Sequence, residues 1–117
     1  MNYIGIDLGG TNIKGALVSA EGEILKERSV PTPVDAGGEA IAARMADVIS
    51  QLCAGEDLWN INGVGIGCPG TVDDEAGIVR FAANLKLENF DLRGALRAHT
   101  TLPIRIGNDA SAAALGE

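Results

Sequence analysis

The chain has 117 residues, a length that suits one domain. Hydrophobic residues make up 46% of it but aromatics only 3%, so its core must be built from Ile, Leu, Val and Ala. A net charge of −7 argues against nucleic acid or an anionic membrane as partner; a bound polyanion would have to be held by backbone N–H groups and a metal rather than by a field of lysines.

The elements follow in chain order. Tyr3 to Leu8 is an apolar run that ends at Asp7 and a glycine pair, and it predicts a central strand. Ile13 to Val18 predicts a second strand, thinned by Gly15 and Ala16. Only Gly9-Gly10-Thr11-Asn12 lies between them, room for a tight hairpin and nothing else. Glu23 to Val30 follows a turn at Gly22 and carries Glu23, Lys26, Glu27 and Arg28, as an exposed edge strand would. Ile41, Met45, Val48, Ile49 and Leu52 then fall on one face of a helix that Gly55 should stop.

Ile61 to Gly67 predicts a buried strand feeding a turn at Pro69-Gly70. Thr71 to Phe81 reads as a small β-excursion whose tip is the solvated acidic turn from Asp73 to Gly77. Asp91 is a good N-cap for a short helix through Leu92, Leu96 and Ala98. Pro103 to Asn108-Asp109 is another strand, and a helix should begin at Ala110. Three strands joined by tight turns are antiparallel; strands reached through helices should run parallel to the first by right-handed crossovers. The expected architecture is an α/β domain with a mixed five-stranded sheet and helices packed on it.

Several motifs can be set aside. Gly65, Gly67 and Gly70 satisfy G-x-G-x-x-G, but a hairpin pattern follows where a dinucleotide fold needs a helix. Cys53 and Cys68 form no CxxC pair and His99 is the sole histidine, so a zinc site is not expected from these residues. The cysteines read as reduced, buried thiols, and His99 as a solvated residue on the short helix. The N-terminus lacks a basic leader and no apolar run reaches membrane-spanning length, so a cytoplasmic protein is expected.

Two places carry candidate chemistry. A glycine-rich hairpin exposes successive N–H groups that form an anion-binding concavity. Gly9 and Gly10 would let a phosphate approach the backbone, Thr11 and Asn12 add donors, Lys14 adds positive charge, and Asp7 would hold Mg²⁺ beside the phosphates. An ordinary hairpin whose glycines only make the turn has the same spacing. The second place is Asn108-Asp109: an aspartate at the C-terminal end of a parallel strand is where α/β sheets place ligand chemistry, but it is also a common helix cap.

Four segments in order, "IGIDLGGTNIKGALV", "GVGIGCPGTVD", "NLKLENFDLRGAL" and "LPIRIGNDASAAALGE", closely resemble the N-terminal half of the ROK family of sugar kinases, and the resemblance covers nearly the whole chain. It implies the actin-like, ribonuclease-H-like ATPase fold. It implies that Asp7, Gly9, Gly10, Thr11 and Lys14 line ATP phosphates and Mg²⁺. It implies Asp109 as the general base on the sugar's primary hydroxyl, with Gly70, Asn84 and Asn108 holding sugar hydroxyls. The expected activity is glucokinase-like transfer of the γ-phosphoryl group of ATP to the 6-hydroxyl of a hexose, in a homodimeric full-length protein. Departures are Ser111 in place of the family's common Asn, and Lys86-Leu87 in place of its usual tryptophan. Family members continue into a second domain with a cysteine-rich structural zinc motif. The stop at Glu117, inside a helical pattern, is therefore expected to be a truncation at a domain boundary, and the fragment alone inactive. The rivals are a ROK-type transcriptional repressor, whose helix-turn-helix would need room before Asp7, and a non-catalytic actin-like interaction domain, against which the Asn108-Asp109 pair argues.

Overall fold

In the computed structural model, which describes residues 1–108, β1 (Asn2–Leu8) buries Ile4, Ile6 and Leu8 completely and exposes Asp7. That alternation makes β1 a strand with one face against a core, and it carries Asp7 to the other face. β2 (Asn12–Val18) returns antiparallel, with Asp7 opposite Lys14 and Leu8 opposite Ile13. β3 (Ile24–Pro31) pairs antiparallel with β2 and is mostly exposed, as its charges predict for an edge. β4 (Ile61–Gly67) and β8 (Ile104–Gly107) add to the other side of β1, both parallel to it, in the order β3-β2-β1-β4-β8. The expected mixed five-stranded sheet is the one that forms.

Helix α1 (Gly38–Cys53) buries Ile41, Ala42, Met45, Val48, Ile49 and Leu52 against the sheet. Gly15 is thin because α1 comes close there: a Cβ on Gly15 would lie 2.6 Å from Val48 Cγ1. Burying the large apolar side chains among these contributes roughly 1.5–3 kcal/mol each, so this interface is a substantial source of the domain's stability.

The excursion after β4 is larger than the hairpin expected from its sequence. β5 (Thr71–Asp73), β6 (Ile78–Ala82) and β7 (Leu87–Asp91) form a separate antiparallel sheet. β7 escapes sequence reading because only Leu87 is buried in it and Asn89 takes a left-handed φ of 49°; pairing with β6, not its own pattern, makes it a strand. The acidic turn is held as well as solvated. Asp73 accepts from Ala76 N–H and Arg80, and the Arg93 guanidinium donates to the carbonyls of Asp74 (2.5 Å) and Glu75 (3.0 Å). Helix α2 (Leu92–Arg97) starts where expected, with the Asp91 carboxylate accepting from Gly94 N–H at 2.9 Å. It ends before the exposed His99, which lies beyond the helix rather than on it.

Val79, Leu85, Leu92 and Leu96 join the β1–α1 cluster in one continuous core. That shared core ties the small sheet to the large one and fixes where its loops stand.

Candidate functional site

The parallel register decides which residues can meet. Asp7 pairs with Gly67, and Gly67 with Gly107, so three strands end in one row at their C-terminal edge. Two strand spacings separate Asp7 from Gly107, about 10 Å. The loops that leave this row are the Gly9-Gly10 hairpin, the Cys68–Gly70 turn and Asn108, and the Asn84 turn reaches the same edge from the small sheet.

The hairpin tip is closed by Gly9 N–H donating to the Asn12 carbonyl at 3.0 Å. Thr11 and Asn12 are exposed, and so are Asp7 and Lys14, neighbours on the outer face across β1 and β2. Asn84 sits in a single 3₁₀ turn (Ala83–Leu85). Leu85 is fully buried and anchors this turn, leaving Asn84 exposed against the hairpin. A Cβ on Gly10 would lie 3.0 Å from both the Cβ and the carbonyl oxygen of Asn84, so this approach of two loops requires glycine. Lys86 ends the turn with a left-handed φ of 54° and pairs with Asp35 at 2.5 Å, linking the turn to the segment after β3. Its hydrogen bond and charge hold the Asp35 carboxyl below its ordinary value.

The other half of the site is tied by one side chain. The Asn108 amide donates to the carbonyls of Cys68 (3.0 Å) and Gly70 (2.9 Å), and Cys68 N–H donates to the Gly107 carbonyl at 2.8 Å. Gly70 holds a φ of +86°, and a Cβ there would stand 2.1 Å from the Phe81 carbonyl oxygen. Gly70 therefore lies against the β6 backbone two residues before the Asn84 turn. The result is a chain of contacts from Gly10 through Asn84 and the end of β6 to Gly70 and Asn108.

Cys68 is buried, its Sγ donates to the Pro69 carbonyl at 3.4 Å, and burial pushes its thiol up to about 11. A protonated, hydrogen-bonded thiol is no nucleophile. The turn and β5 that follow Gly67 put a hairpin where a dinucleotide fold needs a helix. Asp109 and the helix expected after it lie outside the described residues.

A groove of about 830 Å³ also runs along the outer face of β1–β3, reaching Asp7 and Lys14 at one end. It includes none of Gly70, Asn84 and Asn108, and it reflects a sheet face with small residues such as Gly5 and Ala16 rather than the loop-lined edge. Sequence reading missed one contributor to the site, Thr32. Its signal was weak: a lone threonine between two prolines in a segment without periodicity.

Comparison with known proteins gives this geometry a family. The ROK family profile matches residues 3–117. A glucokinase of Thermotoga maritima is 41% identical over 118 residues, spanning 100% of this chain and 36% of that protein. A xylose repressor of Caldicellulosiruptor bescii is 36% identical, spanning 99% of this chain and 30% of that protein. The solved ROK family glucokinase of Streptomyces griseus, in complex with glucose and AMPPNP, superposes with a TM-score of 0.84 at 36% identity over 100% of this chain and 36% of that one. The chain thus spans about a third of the length of the relatives it matches. With a profile match over nearly every residue and a shared fold of the actin-like ATPase type, this chain belongs to the ROK family.

Proposed function

We propose that this chain is the N-terminal domain of an ATP-dependent, glucokinase-like hexose kinase that transfers the γ-phosphoryl group of ATP to the 6-hydroxyl of a hexose. The observation that carries the reading is the meeting of the Gly9-Gly10 hairpin with the Asn84, Gly70 and Asn108 loops along one sheet edge. A span of about 10 Å between Asp7 and the end of β8 suits a triphosphate and a sugar hydroxyl placed head to tail.

The roles follow from the chemistry. N–H groups around Gly9 and Gly10 receive phosphate oxygens, helped by Thr11, Asn12 and Lys14. Asn84, Asn108 and the Gly70 turn hold sugar hydroxyls. Asp109, the residue after Asn108, takes the proton from the attacking hydroxyl as the γ-phosphorus–oxygen bond to ADP breaks. Asp7 suits Mg²⁺: it is an exposed carboxylate beside the hairpin, and this ion needs only one or two carboxylates when phosphates and water complete its shell. When bound, the ion would neutralise charge on the phosphates.

A following domain with a structural zinc motif, a homodimeric enzyme and a cytoplasmic setting belong to the same reading and rest on the family resemblance. Among the described residues no helix is long and apolar enough to cross a membrane. A sugar-sensing repressor is the second reading, favoured by the repressor relative. The net charge of −7 works against DNA binding by this domain itself.

Asp109→Asn in the intact protein tests the proposal. The expected result is loss of turnover by at least 10²-fold with hexose affinity preserved, read by coupled assay and calorimetry. Unchanged turnover would remove Asp109 as the base. An intact protein that binds hexose but phosphorylates none would favour the repressor.

A further inference from the structure

Thr32 is the one buried residue with a polar side chain among the described residues, at 9% exposure. It lies just past the end of β3, 23 positions from Gly9 in sequence. Its hydroxyl donates to the Gly9 carbonyl at 2.7 Å, and its N–H donates to the Thr11 carbonyl at 2.9 Å. One residue therefore grips both sides of the hairpin tip.

The grip has a directional consequence. A tight two-residue hairpin closes with reciprocal bonds between the residues flanking its loop. Here Gly9 N–H reaches the Asn12 carbonyl, but the Gly9 carbonyl is turned to the Thr32 hydroxyl instead of to Asn12 N–H. In a trans peptide unit the C=O and N–H point in opposite directions. Holding the carbonyls of Gly9 and Thr11 toward Thr32 turns the N–H groups of Gly10 and Asn12 away from it. Glycines at 9 and 10 make this backbone the most permissive in the site, so an external clamp decides which rotation of the 9–10 peptide is populated.

We propose that Thr32 is a positioning residue for nucleotide binding: its hydroxyl, through the Gly9 carbonyl, orients the Gly10 N–H group toward the phosphate chain, and its backbone N–H, through the Thr11 carbonyl, sets the Asn12 N–H beside it. This rests on the reading of the hairpin as the phosphate holder. Thr32 itself touches no substrate. A clamp on the hairpin bears directly on the phosphate end, because the Gly70 and Asn108 hydrogen bonds are made by other residues.

The test uses the intact protein with Thr32→Val, which keeps the shape and removes the donor, and Thr32→Ser, which keeps the donor. Thr32→Val should raise the Kd for a non-hydrolysable ATP analogue about tenfold, the effect of one lost hydrogen bond, with the hexose Kd within twofold of the parent. Thr32→Ser should restore nucleotide affinity to within threefold. The proposal is overturned if Thr32→Val leaves nucleotide affinity within twofold, if both ligands weaken in parallel as a merely structural role would give, or if Ser does not rescue. If Thr32→Val does not fold, Thr32→Ala against Thr32→Ser reads the same contrast. A parent protein that phosphorylates hexose while Thr32→Val binds nucleotide normally sinks only the clamp. A parent that binds no nucleotide sinks the phosphate reading, and the clamp with it.

Discussion

Gly70 and Gly22 share a φ of +86°, and this coincidence allows strain to be separated from collision. An alanine at Gly22 would meet nothing within 4 Å, so Gly22→Ala should destabilise only through the left-handed backbone, roughly 1–2 kcal/mol. Gly70→Ala carries the same strain and puts its Cβ 2.1 Å from the Phe81 carbonyl oxygen and 3.0 Å from Ala82 Cα. No rotamer relieves a contact with backbone, so the turn and the end of β6 must separate by about 1 Å, adding roughly 1–3 kcal/mol. Gly70→Ala should therefore lose about 2–5 kcal/mol in urea unfolding, exceeding Gly22→Ala by at least about 1 kcal/mol. It should also weaken hexose binding in the intact protein, because the displaced Gly70 carbonyl is one of the two that hold the Asn108 amide. Equal unfolding midpoints for the two variants, with equal hexose affinity, would refute the argument that Gly70 is wedged between β6 and Asn108.

Three further outcomes are expected. Gly15→Ala should lose about 1–3 kcal/mol in the same unfolding assay, because its Cβ would press on Val48 Cγ1 at 2.6 Å and on Ile6 Cδ1 at 2.9 Å in the β2–α1 interface. Cys68, with its thiol pushed up to about 11 by burial, should react with iodoacetamide at pH 8.5 about 100-fold more slowly in the native protein than after unfolding. Its folded value lies above its ordinary 9.0, so the native state keeps the proton longer than the unfolded chain does. Stability is then fully present below pH 9 and falls as pH rises toward 11, and Cys53, raised chiefly by burial, adds in the same direction. Urea midpoints that do not fall between pH 8 and 10.5 would contradict this.

The order of strands and helix in the large sheet is legible from local pattern. Ile4, Ile6 and Leu8 alternate, the α1 face repeats at 3.6 residues, and the three-residue link between β1 and β2 admits only a hairpin; each is a local pattern that burial then enforces. The sequence also marked Gly9, Gly10, Asn84 and Asn108 as residues worth following. Adjacency, by contrast, comes from the packed fold. β7 exists because β6 offers it a partner, since its own residues lack an alternating pattern. Gly10 meets Asn84, 74 positions away by their numbering, because Leu85 is drawn into the core shared by both sheets. Thr32 gains its grip on the hairpin from the register of β3 against β2, in which Pro31 lies opposite Asn12. Periodicity reports which way a side chain faces within its own element; which loops touch depends on how separate elements bury their apolar faces together, and that is a property of the packed chain.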